Sequence, residues 1–298
     1  MRKKQRSLKY KNSIKLFLIL CASVISIEAK ASSIVYASDS RIELLAESNF
    51  INPGDELLVG FRFSLTPGWH TYWKNPGDAG EGATIKWNLP DDVKVSEILW
   101  PGPERIPVEP LMTFGYEDEV VLLTRIYTSK NTIIPLSLNA IVSWYTCKEI
   151  CIPQEAEVSF PIKPGNKTST VSKGLLLQIL DKVPVEFNGS YRVQKLDDSY
   201  VLQGQLEEQD QFDSMYFFPN NYGLTDYVKE QLYEKNNDSF SLQIKASEAD
   251  LGAESFEGVI EVKNNEKVTF FSIDYPLEPE SISQEFSIFT LKYPLFLK

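Results

Sequence analysis

The sequence predicts a mostly β chain, in which a β-sandwich is followed by a second β-rich domain carrying one or two short helices. Three observations lead there. Short runs of β-branched and aromatic residues recur between positions 40 and 162, broken by Pro and Gly at regular intervals. A polar, small-residue stretch at 164–170 then interrupts the pattern. Beyond it, an apolar series at helical spacing opens a second set of alternating runs.

The amino terminus stands outside this pattern. Arg2, Lys3, Lys4, Arg6, Lys9, Lys11 and Lys15 precede an apolar run over 16–27, followed by Ala29-Lys30-Ala31. A basic start, a short apolar core and a small-x-small end make a secretory signal peptide over residues 1–31, with cleavage expected after Ala31. The apolar run is too short to span a bilayer, which takes about 20 residues. A lipoprotein reading would acylate Cys21, but the preceding Leu20 is bulky where that processing needs a small side chain. No later segment is long and apolar enough to span a membrane. The expected location is the periplasm, with no direct membrane span.

Charge narrows the partners. The full chain carries −11, and removing residues 1–31, with eight basic and one acidic residue, leaves −18. A surface this acidic repels nucleic acid and anionic lipid. The mature length exceeds one typical domain, and the reading is two: residues 40–163 and residues 171–298.

In the first domain, β-type runs are expected at 57–65, 71–74, 84–87, 120–127, 141–145 and 155–162. Period two places Leu57, Val59, Phe61 and Phe63 on one core face. The interruptions at 75–83 and 101–115 hold many of the chain's Gly and Pro residues and are long enough to be functional loops. In the second domain, Leu175, Leu176, Ile179, Leu180 and Val183 predict a helix over 171–183, and a second helix is expected over 225–233, with Thr225 as its N-cap and Val228 and Leu232 on one face. The second domain has no cysteine or histidine, and it reads as scaffold or docking surface.

The chemistry concentrates in Trp144-Tyr145-Thr146-Cys147-Lys148-Glu149-Ile150-Cys151-Ile152-Pro153. Only Cys147 and Cys151 survive signal cleavage, so in an oxidising compartment they pair or act alone. A continuous strand would hold the sulfurs about 13 Å apart, too far to bond. A hairpin with Lys148-Glu149-Ile150 at its tip sets the cysteines opposite one another, with Cα atoms about 4.5–5.5 Å apart. A one-turn helix would also bring them close, but Pro153 and the flanking β patterns favour the hairpin. Closing so short a loop stabilises the fold by only about 2 kcal/mol, against roughly 3 kcal/mol for a fifteen-residue loop. Little stability is therefore lost when the bridge opens, which favours exchange over a static clip. Zn²⁺ binding needs four ligands and the sole histidine is His70, so neither metal nor cofactor is expected.

The segment around the cysteines, together with Pro67-Gly68-Trp69-His70-Thr71-Tyr72-Trp73-Lys74-Asn75-Pro76-Gly77-Asp78 and Phe114-Gly115-Tyr116, resembles the amino-terminal periplasmic domain of the DsbD and ScsB thiol:disulfide interchange proteins. The resemblance implies an immunoglobulin-like sandwich whose pair, here Cys147 and Cys151, takes electrons from a thioredoxin-like domain and passes them to periplasmic thiol proteins with thioredoxin-like folds. It assigns attack to the second cysteine, Cys151. Alignment on the Gly68 turn places His70 and Tyr72 beside the pair, and Phe114 is the candidate for the family's shielding aromatic residue. The two-domain layout looks most like the ScsB branch. Since the sequence stops at Lys298 without a multi-helix membrane domain or a terminal C-x-x-C domain, the expected electron donor is membrane-embedded and on a separate chain. A different class of function remains open: a non-catalytic adaptor whose bridge only fixes a loop while the acidic surface docks a membrane partner.

Overall fold

A computed structural model describes residues 32–205, 212–236, 239–248, 253–265 and 267–277. The expected signal peptide, with Cys21, lies outside the described residues.

The first half holds β1 (Ile34–Tyr36), β2 (Ser40–Ala46), β3 (Phe50–Ile51), β4 (Glu56–Leu65), β5 (His70–Gly77), β6 (Thr84–Asn88), β7 (Val93–Val95), β8 (Glu104–Val108), β9 (Leu111–Glu117), β10 (Glu119–Thr128), β11 (Leu136–Cys147) and β12 (Cys151–Pro164). One sheet runs β1-β2-β4-β10-β7; the other runs β3-β12-β11-β5-β9-β8, with β6 also paired to β11. Together they make the immunoglobulin-like sandwich that the resemblance implies. Leu57, Val59, Phe61 and Phe63 are buried in the core between the sheets, alongside Trp73, Val142 and Trp144. Alternation along β4 produces this face, and the edge-to-face contact of Phe63 with Trp144, 5.6 Å between ring centres, ties the two sheets together.

The opposite face of β4 is covered too. Leu45, Leu58, Val121 and Leu123 form a smaller cluster around Leu176 of α1 (Lys173–Leu180). The helix expected from the apolar spacing is present, but its stripe packs on the first sandwich. The reason lies in β4. A Cβ at Gly60 would meet Leu176 Cδ2 at 2.6 Å and Val121 Cγ1 at 2.7 Å, so the missing side chain leaves a seat for the leucine. Burying that leucine side chain stabilises the contact by about 2 kcal/mol.

The second half holds β13 (Val185–Glu186), β14 (Tyr191–Lys195), β15 (Ser199–Gln205), β16 (Ser214–Pro219), β17 (Leu232–Asn236), β18 (Ser239–Lys245), β19 (Ser255–Asn264) and β20 (Lys267–Pro276). Its sheets run β13-β20-β19-β16 and β14-β15-β18-β17. Between them lies a core with Tyr200, Leu202, Phe217 and Phe256, in which Phe217 and Phe256 stack at 4.1 Å.

The helix expected over 225–233 does not form. Asp226 Oδ1 accepts hydrogen bonds from the N–H groups of Val228 and Lys229, closing a turn, and the chain enters β17 at Leu232. Gln231 turns inward and its amide bridges both backbone groups of Phe217. Val228 and Leu232 are exposed, so the apparent apolar stripe has nothing to cover. The interruption expected at 101–115 likewise contains the β8–β9 hairpin. Among the described residues, no helix is long and apolar enough to cross a membrane.

Candidate functional site

The cysteines close the end of the β11–β12 hairpin. Antiparallel register runs from Leu136↔Ile162 to Cys147↔Cys151, leaving Lys148, Glu149 and Ile150 as the tip. The Cα atoms of Cys147 and Cys151 are 4.2 Å apart and the sulfurs are bonded. The two sulfurs are not equivalent. Cys147 is 3% exposed, whereas Cys151 is open to solvent beside an Ile150 that is 73% exposed. Only Cys151 can meet a bulky partner without the hairpin opening.

Strand β5 supplies the floor. A turn at Thr66–Trp69, closed by the Trp69 N–H donating to the Thr66 carbonyl, delivers His70 opposite Cys147 in the sheet register. Gly68 takes a φ of +80°, a conformation that favours glycine. Thr71 Oγ1 donates to the Tyr145 carbonyl at 2.8 Å, fastening β5 to β11 just below the pair. The Tyr72 hydroxyl lies 3.1 Å from Cys151 Sγ. A bonded sulfur has no proton, so the phenol is the donor. Burial pushes the Tyr72 pKa up to about 12, which keeps that proton in place at any ordinary pH.

His70 and Tyr72 share one face, their rings edge to face at 5.2 Å. His70 is 5% exposed and its Nε2 has no hydrogen-bond partner among the described residues. Burial lowers its pKa from 6.5, so the imidazole is neutral at neutral pH.

Phe114, the candidate shielding residue, packs against aromatic rings of the second half. It lies in β9, wholly buried, and its ring contacts are with Phe218 and Tyr227 at 5.0 Å and Tyr216 at 6.5 Å. The loop after β5 covers Tyr72 instead. Gly80 packs against the Tyr72 ring so closely that a Cβ there would overlap Cζ and both Cε atoms. Its φ of +98° also favours glycine. Sequence reasoning marked this loop as functional for its glycines, but the glycine–tyrosine contact could not be inferred from composition.

The site is thus a sandwich edge at which an exposed cysteine meets a buried tyrosine. Residues 43–162 match the family model described as "Thiol:disulfide interchange protein DsbD, N-terminal". That stretch of the chain is a DsbD amino-terminal domain. The solved structure of the N-terminal periplasmic domain of ScsB from Proteus mirabilis resembles the chain with a TM-score of 0.63 and 18% identity, over 83% of this chain and 98% of that one. The likeness extends well beyond the DsbD-type domain and shows that the second β-rich half is part of a shared fold. An endo-fucoidan hydrolase of glycoside hydrolase family 107 aligns at a TM-score of only 0.19, with 11% identity over 76% of this chain and 32% of that one. No curated protein sequence matches significantly. The DsbD-type domain places the Cys147–Cys151 bridge within thiol–disulfide interchange chemistry.

Proposed function

We propose that this protein is a periplasmic dithiol relay working through Cys147 and Cys151. The observation that carries the reading is the unequal exposure of the two sulfurs, with the Tyr72 hydroxyl aimed at the exposed one. In the reduced protein the Cys151 thiolate attacks one sulfur of a partner's disulfide. A mixed disulfide forms and the partner's other sulfur leaves as a thiolate, which takes up a proton. Cys147, deprotonated, then attacks Cys151 Sγ and the partner's second sulfur leaves. Two electrons have moved to the partner, and the Cys147–Cys151 bridge is restored.

A membrane-embedded dithiol donor would re-reduce the bridge by the reverse sequence, and thiol proteins of thioredoxin-like fold would be the acceptors. The Tyr72 phenol stabilises the thiolate that attacks and leaves, since a hydrogen bond to the charged form favours it. Neutral His70, opposite Cys147 in the sheet register, is the candidate base for the thiol that resolves the adduct. Periplasmic location is supported by the basic and apolar start of the sequence and by the periplasmic ScsB domain that shares its fold.

Equilibration with glutathione tests the relay against a static clip. A potential above about −300 mV supports exchange, while a bridge that stays closed below that value is a structural one.

A further inference from the structure

The run Asn75-Pro76-Gly77-Asp78 does more than turn the chain. Asn75, 3% exposed, sits where β5 loses register with β9 between Tyr72 and Gly77. Its Oδ1 accepts from the Gly77 N–H at 3.1 Å, and its Nδ2 donates to the Pro219 carbonyl of the second half at 2.8 Å. Tyr227 Oη and the Asn221 carbonyl complete the surroundings of that amide, each at 3.5 Å. Asp78 then locks the next step of the loop: its N–H donates to the Met112 carbonyl at 2.9 Å and its carboxylate accepts from the Met112 N–H at 2.8 Å. Two residues further on, Gly80 lies against the ring of Tyr72, whose hydroxyl reaches Cys151.

We infer that Asn75 is a positioning residue through which the second β-rich half holds the Gly80 loop on Tyr72, and so sets the reactivity of the Cys151 thiol. The second half thereby has a task at a redox site to which it contributes no sulfur. Asn75 touches neither cysteine. It acts through a loop whose position depends on a carbonyl from β16, and β16 is held in place by the packing of Phe218 against Phe114 and Trp73. The inference rests on the relay reading for its purpose, but its geometry stands on its own contacts.

The test measures the thiol pKa of Cys151 in the full chain carrying Cys147→Ser, from the pH dependence of its alkylation. Tyr72→Phe should lower the thiolate fraction below the pKa about tenfold, the loss expected for one hydrogen bond to a charged group. Asn75→Asp keeps the acceptor for Gly77 and removes the donor to Pro219. It should lower the thiolate fraction severalfold, yet change nothing further in the Tyr72→Phe background. An unchanged pKa in Asn75→Asp overturns the inference. So does an equal drop in the Tyr72→Phe background, which would mark a through-space charge effect. If Asn75→Asp does not fold, the uncharged variant Tyr227→Phe is read by the same two criteria, with a smaller drop expected. Failure of the wild-type bridge to exchange with glutathione would refute the relay alone, since the single-cysteine comparison does not depend on it.

Discussion

The Tyr72 hydroxyl donates to Cys151 Sγ across 3.1 Å from a side chain that is 2% exposed. A buried phenol holding its proton on a solvent-facing sulfur stabilises that sulfur more as a thiolate than as half of a bridge. Removing the hydroxyl in Tyr72→Phe should therefore move the bridge's potential to more negative values, because the reduced form loses more than the oxidised one. Equilibration of both proteins with a glutathione series reads the shift. A potential unchanged from wild type would mean that the contact does not act on the thiolate.

The exposure difference makes the two single-cysteine variants unequal. With Cys147→Ser, the accessible Cys151 should capture partner disulfides as lasting adducts, since the resolving thiol is gone. With Cys151→Ser, the buried Cys147 should capture far less. Non-reducing electrophoresis of extracts, followed by identification of what is attached, measures the asymmetry. Equal trapping by both would remove the assignment of Cys151 as attacker.

Phe114 should matter for stability more than for shielding. Wholly buried among Tyr216, Phe218 and Tyr227, it bonds the two halves through their aromatic side chains. Phe114→Ala should cost roughly 3–5 kcal/mol of folding free energy. Because the ring contacts straddle both halves, denaturant should unfold them in one transition in the wild-type chain, and the variant should show the second half loosening first. A selective rise in oxidation of the reduced pair, with stability intact, would restore the shielding role.

Limited proteolysis addresses the proposed division at 164–170. Gly165 has a φ of +144° and the neighbouring side chains are largely exposed, so this stretch is the expected first cut. Cleavage there should leave the halves associated through the Asn75 and Phe114 contacts. Separation on gel filtration after the cut would show that those contacts do not hold alone.

His70 makes stability depend on pH in a stated direction. Burial lowers its native pKa below 6.5, so the unfolded chain binds the proton more readily than the native one. Stability should be full above about pH 6.5 and decline as pH falls toward the lower native value. Its register neighbours are Cys147 and the exposed Glu117, and the Tyr72 phenol is uncharged throughout this range. His70→Gln should flatten the acid side of a plot of melting temperature against pH. A slope equal to wild type would assign it to other groups.

The hairpin was legible from the sequence because three residues between two cysteines, flanked by β-branched runs, admit few geometries. The core face of β4 was legible for the same reason: period two leaves Leu57, Val59, Phe61 and Phe63 no choice of side. What a helix covers was harder. The spacing of Leu175, Leu176, Ile179 and Leu180 marks a stripe without naming the surface beneath it, and the pointer was Gly60, a lone glycine within a strand. The expected helix at 225–233 failed because Asp226 offers the backbone a competing turn, a local hydrogen bond that apolar spacing does not register. Phe114 stood out as a shielding aromatic and Asn75 only as part of a motif, and neither reading reached the second half. Their partners lie more than a hundred positions away, and no local pattern encodes a contact of that range.

Cys147 and Cys151 are the last of twelve successive rungs in the β11–β12 ladder. Opening the bond removes one covalent tie at the end of a ladder that the remaining rungs keep in register, and Thr71 pins β11 immediately below it. Oxidised and reduced forms thus present nearly the same outline to a visitor. Direction of electron flow then has to be set by relative potentials and by collision rates. A donor and an acceptor would compete for one unchanging platform, and each would leave because its own sulfur chemistry is finished.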